Sequence, residues 1–222
     1  MKKIMAILYA TIFASGILAG CSGNATNNAA NTTESNGTSQ TETKSDLLSS
    51  SYADIMKSGK YFIHYTTDTK VEEKTIKSET EMAVDGNNIL MKTAADGINT
   101  RMLIKDKTLY VFNDAKKTYY KITISDTGSG TTSSVRDEKI DTSGITYAGK
   151  GKAELNGKEM DYEEYKTDKG TIRYYFENKR LYAIVIKSED METTMVIIEL
   201  SNKVSADMFE IPTGYTEGGT VY

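Results

Sequence analysis

The sequence predicts a mainly β protein. The expected architecture is one strongly curved antiparallel sheet of about ten or eleven strands, with an N-terminal helix on its concave side. Three observations predict it. Short runs of Tyr, Thr, Val and Ile alternate apolar with polar and are punctuated by Asp, Asn and Gly. Proline occurs once and tryptophan is absent, while tyrosine occurs fifteen times. Near the C-terminus two strands are apolar on both faces, so both faces must be covered.

Ahead of the sheet, "DLLSSSYADIMKSG" sets Leu48, Tyr52, Ile55 and Met56 at helical spacing, with Gly59 placed to end a helix over 47–58. "GKYFIHYTTDT" is the first strand. In "EKTIKSETEMAV", Ile76, Ser78, Thr80, Met82 and Val84 share a covered face, and Lys77, Glu79 and Glu81 a wet one. "DGNN" turns at 85–88. "ILMKTAA", "TRMLIKD", "TLYVFND" and "KTYYKIT" complete a first meander. Residues 125–143 break the pattern; they read as a solvated insertion, with a lid, a short helix or a binding loop as alternatives.

A second meander begins at "GITYAGKGKAEL". Asn156-Gly157 is a strong hairpin signal, "KEMDYEEYKT" returns, Asp168–Gly170 turns and "TIRYYFE" goes out. "LYAIVIKS" and "ETTMVIIELS" close the sheet. Strict alternation puts Leu181, Ala183 and Val185 on one face and Tyr182, Ile184 and Ile186 on the other. A helix, the far side of a curled sheet or a bound apolar molecule would cover them.

The N-terminal segment speaks to location. Lys2 and Lys3 precede an apolar run from Ile4 to Leu18, short of the ~20 residues of a spanning helix. Small residues follow, which is the order of a secretory signal. Leu18-Ala19-Gly20-Cys21 then resembles the bacterial lipobox, in which the thiol takes a diacylglyceryl group and cleavage falls just before it. Cys21 is the only cysteine, so its expected role is that of a lipid anchor rather than a disulfide partner or nucleophile. Two acyl chains suffice for stable membrane attachment. Residues 22–46 are rich in Asn, Thr, Ser and Gly and cannot bury enough surface to offset chain entropy. As a flexible coil they would span ~25–30 Å. The expected division is signal peptide 1–20, lipidated N-terminus and linker 21–46, and β domain 47–222.

Chemistry-bearing motifs are sparse. His64 is the only histidine and lies mid-strand, so triads and Cys/His zinc sites are not expected. No phosphate-binding glycine motif is present, and "GSGTTSS" reads as a loop. The carboxylates Glu72, Glu73, Glu79, Glu81, Asp161, Glu163 and Glu164 mingle with lysines as on a solvated face. No enzyme activity, metal or cofactor is expected. The net charge of −4 becomes −6 without Lys2 and Lys3, and no basic stripe exists, so nucleic acid is not an expected partner. The sulfur-bearing and aromatic residues Met82, Met91, Met102, Tyr174, Phe176 and Met195 suit either an irregular core or the lining of an apolar cavity.

Taken together, the helix leading into "GKYFIHYTT", the meander "NGKEMDYEEYKTDKGTIRYYFENKRLYAIVI" and the ending "LSNKVSADMFEIPTGYTE" resemble the LolA/LolB/LppX-type lipoprotein superfamily over residues 47–217. The resemblance implies a half-open barrel plugged by helices. It also implies an apolar cavity that would carry a lipid or an acylated ligand, and no catalytic residues. The alternative is an accessory lipoprotein that binds another envelope protein and no small molecule. Either would sit on the extracytoplasmic face of the cell membrane, and the Asn/Lys/Thr-rich composition with that ending favours a Gram-positive surface.

Overall fold

A computed structural model describes residues 47–124 and 145–218. The expected signal peptide, lipobox, Cys21, the linker and the polar stretch 125–143 lie outside these residues. Helix α1 spans Leu48–Lys57 and ends at Gly59, whose φ of +69° costs glycine little. Six strands follow as a meander: β1 (Lys60–Val71), β2 (Lys74–Asp85), β3 (Asn88–Ala95), β4 (Ile98–Lys105), β5 (Thr108–Asn113) and β6 (Thr118–Thr123). Five more form a second meander: β7 (Thr146–Leu155), β8 (Lys158–Thr167), β9 (Gly170–Glu177), β10 (Arg180–Lys187) and β11 (Met191–Ser201). The chain closes with a single 3-10 turn at Ala206–Phe209 and a two-residue strand, β12 (Thr216–Glu217).

Among the described residues all twelve strands belong to one open, curved sheet, ordered β12-β6-β5-β4-β3-β2-β1-β11-β10-β9-β8-β7. The two meanders join where β1 pairs with β11, antiparallel, from Phe62↔Ser201 to Val71↔Met191. Strands β1 to β11 match the runs read from the sequence. Strand β12, which pairs parallel to β6, has only two residues and no alternation to read.

Cross-strand partners share a face, so the register sorts the side chains. One face, here the helix face, carries Tyr61, Ile63, Tyr65, Met82, Val84, Ile172, Tyr174, Phe176, Ile184 and Met195 in a buried cluster with Met56 of α1. The opposite, outer face carries two clusters. Ala83, Leu103 and Phe112 lie under Phe209 at one end, and Met160, Tyr175, Ala183 and Val185 lie at the other.

Two expectations need correction. A bulge between Leu181 and Ala183 shifts the register, so Leu181 joins Ile184 and Ile186 on the helix face, while Tyr182 lies outside with Ala183 and Val185. A bulged strand places two residues opposite one, which breaks strict alternation. Second, the wet face of β2 is wet only in part, since Ala83 on that face is 1% exposed beneath the C-terminal segment.

The turn at Gly170 is fixed by close approach. Its φ is +153°, and a Cβ there would meet the Lys187 carbonyl oxygen at 1.9 Å. Two-residue turns at Asn156-Gly157 and Asn178-Lys179 hold both residues at positive φ, which suits the twist of the flanking strands.

Candidate functional site

Helix α1 is held against its face by a carboxylate from far along the chain. Glu163 of β8 is 4% exposed and accepts hydrogen bonds from the backbone N–H of Leu48 at 2.7 Å and of Ser49 at 3.0 Å. These are donors that the first turn of a helix leaves unpaired, and a carboxylate suits the positive end of the helix dipole. Beside it the Ser49 hydroxyl lies 2.7 Å from the Tyr165 hydroxyl. Midway along the helix the Leu181 N–H donates to the Tyr52 hydroxyl at 2.8 Å. The expectation of a solvated Glu163 is therefore corrected. It alternates with lysines in sequence, yet its face of β8 is the one the helix covers.

Helix α1 packs on β1 and β10. The helix face continues past it onto β3–β6 in two apolar rows. Met82, Met91, Met102, Val111 and Tyr120 are cross-strand neighbours, and so are Val84, Ile89, Ile104, Leu109 and Ile122. Among the described residues this surface is only partly covered: Ile98 is 54% and Ile122 46% exposed, and Met91 and Met102 are half-buried. Of the six cavity residues named from the sequence, Met82, Tyr174, Phe176 and Met195 are buried in the core beside the helix. Met91 and Met102 extend the same face outward. All six share one face, and the two methionines stand on its open part.

Burial pushes the hydroxyls of Tyr61 and Tyr65 on this face up to about 12; the neighbouring Tyr65 adds to the effect at Tyr61. Among the described residues no group of three His, Cys, Asp or Glu side chains is placed to hold a metal ion. No helix among them is long and apolar enough to cross a membrane.

On the outer face the C-terminal segment 204–218 forms a strap over β2–β6. Phe209 is 3% exposed against Ala83, Leu103 and Phe112. Tyr215 stands edge-on to Phe112 at 5.6 Å and donates its hydroxyl to Asp114 at 2.7 Å, a bond that holds its pKa above the ordinary value. Lys105 pairs with Glu210 at 2.9 Å and Lys121 with Glu217 at 2.6 Å. A chamber of about 430 Å³ remains between strap and sheet. The sequence reading placed no site here: the ending carried the resemblance, but nothing in it says which face it crosses.

His64, the sole histidine, lies on the outer face with Nε2 2.7 Å from Glu79. Beside it Lys92 bonds Glu81 at 2.8 Å and keeps that carboxyl below its ordinary pKa. Arg173 bonds Glu164 and lies over the Tyr162 ring at 4.6 Å. These are paired surface charges rather than convergent acids.

The class that emerges is a strongly curved, unclosed antiparallel sheet, a half-barrel with a docked helix and an apolar face. No protein-family model matches the chain, and no curated protein sequence does. Similar solved structures include the Mycobacterium tuberculosis lipoprotein LppX, with TM-score 0.41 and 13% identity over 69% of this chain and 93% of that one. LprF from Mycobacterium bovis has TM-score 0.38 and 10% identity over 71% of this chain and 90% of that one. The Pseudomonas aeruginosa MucA/MucB complex gives TM-score 0.41 and 9% identity over 70% of this chain, which spans only 57% of the matched chain.

Proposed function

We propose that this chain is an extracytoplasmic lipoprotein, moored in the cell membrane through acyl chains on Cys21. Its domain, residues 47–222, is a non-enzymatic binding module that holds a lipid or other apolar molecule on the helix face of β3–β6. The observation that carries this reading is the two-row apolar surface running from Met82 to Tyr120 and from Val84 to Ile122, with Ile98 and Ile122 about half exposed. A continuous apolar patch on a folded domain marks a binding surface. Methionines at its centre adapt to chains of varied shape. Leu18-Ala19-Gly20-Cys21 and the polar residues after it support the anchor. The favoured setting is a Gram-positive surface.

Native mass spectrometry of protein from its own cells, followed by organic extraction, tests the ligand. A co-purified lipid that is lost in Met91→Glu and Met102→Glu supports the reading. An empty module that instead brings down an envelope protein through the same face replaces it with the accessory role. Palmitate labelling that persists in Cys21→Ala refutes the anchor.

A further inference from the structure

The chamber under the C-terminal strap is a site that the helix-face reading does not use. It lies on the opposite face of the sheet. Its floor is Phe62, Ala83, Leu90 and Leu103, with Phe112 beside them, and its roof is Met208, Ile211 and Pro212. The chamber is partly open to solvent, a pocket rather than a packing void. At about 430 Å³ it falls within the range of small-molecule sites, roughly 300–1,000 Å³.

The strap is built as a bridge rather than a plug. Phe209 is pinned at one end and Tyr215 with β12 at the other. Between them a turn, closed by the Tyr215 N–H on the Pro212 carbonyl at 3.3 Å, carries the chain over Ala83 and Leu103. The charges at the rim decide what fits. Among the described residues, Lys92 already faces Glu81 at 2.8 Å and Arg101 faces Asp114 at 3.5 Å. Glu210 is matched by Lys105, and Asp207 adds a carboxylate that accepts from Ser205. Each of these cations already faces a carboxylate, so no unmatched positive charge awaits an anion. The buried Nε of Arg101, which has no hydrogen-bond partner among the described residues, offers one donor to a neutral acceptor. Desolvating an unmatched carboxylate would be costly.

We infer that this chamber binds an uncharged, largely apolar small molecule, under the C-terminal strap and independently of the helix face. The ligand's body would rest on Phe62, Leu90 and Leu103, and its entry would be between the strap and the Glu81–Lys92 rim.

Photolabelling of the full chain in its own membranes tests this. The probes are 4-benzoylbenzyl alcohol, which is uncharged, and 4-benzoylbenzoate, its carboxylate counterpart. Tandem mass spectrometry then assigns the labelled residues. The expected result is saturable labelling by the alcohol around Met208 and Ile211, at least tenfold weaker with the carboxylate. Leu90→Phe, and separately Thr213→Trp, should reduce it at least fivefold while circular dichroism stays unchanged and any labelling at Met91 and Met102 persists. Labelling at the strap that does not saturate, that is equal for both probes, or that survives both folded variants overturns the inference. Labelling at Met91 and Met102 reports on the helix face separately, so the two readings can fail independently.

Discussion

Helix α1 reaches its face of the sheet through a buried carboxylate, whereas the C-terminal strap reaches the opposite face through exposed ion pairs. Glu163 ties the helix to β8 in a dry setting, and the helix interdigitates with the core through Ala53 and Met56. Hydrogen bonds to a buried charge are among the stronger ones, and losing one partner leaves the other stranded. By contrast, Lys105–Glu210 and Lys121–Glu217 stand in water, where ion pairs contribute little. The strap is secured chiefly by Phe209 and Tyr215 and spans a chamber between them. The difference predicts that the helix unfolds with the core and that the strap opens separately.

The largest expected effect is at Glu163. Glu163→Ala should lower unfolding stability by about 3 kcal/mol, because a buried and a part-buried N–H group lose their acceptor. Urea midpoints measure it, and Glu163→Gln should lose less. A loss under 1 kcal/mol for the alanine variant would mean that the helix is not part of the core. For the strap, Phe209→Ala should act locally. Amide exchange at Thr216 and Gly218, whose N–H groups bond the Lys117 and Tyr119 carbonyls, should speed up about 100-fold. Exchange in β9–β11 should hold steady; an equal acceleration there would merge strap and core into one unit.

A third expectation concerns alkaline pH and the helix-face core. Tyr61 and Tyr65 have folded pKa values raised to about 12 from an ordinary 10. The folded state therefore keeps protons that the unfolded state gives up between those values. Their contribution is intact below pH 10 and is lost as pH rises toward 12, at up to about 1.4 kcal/mol per pH unit for each tyrosine. Urea midpoints from pH 9 to 11.5 should fall less steeply in Tyr61→Phe; an unchanged slope would exclude this cause. The smallest effect is that of salt. Raising salt to about 1 M screens the strap's ion pairs and should speed exchange at Thr216 by about two- to fivefold, leaving α1 amides unaffected. Similar sensitivity in the helix would erase the contrast.

Much of the fold was legible from local pattern. Eleven strands and α1 lie where alternation, helical spacing and turn residues placed them. The Asn156-Gly157 turn was plain for the same reason, since only a few residue types accept two successive positive φ values. Less of the candidate site could be read. Six residues were named for one cavity, and all six do share a face, because period-two spacing fixes faces within a strand. Which of them would be sealed beneath the helix and which left open was not in the pattern. The chamber was missed altogether, since its floor comes from four strands and its roof from the C-terminal segment.

The sequence by itself determined the elements, their turns and, outside bulges, which side chains share a face, because these depend on dihedral preferences and spacing within a few residues. Tertiary structure decided that β1 pairs with β11, that Glu163 caps a helix 115 residues away, that Leu181 turns inward at a bulge and that the strap crosses the outer face. Those outcomes depend on which surfaces meet. A carboxylate among lysines reads the same whether water or a helix terminus faces it, and only the assembled sheet distinguishes the two.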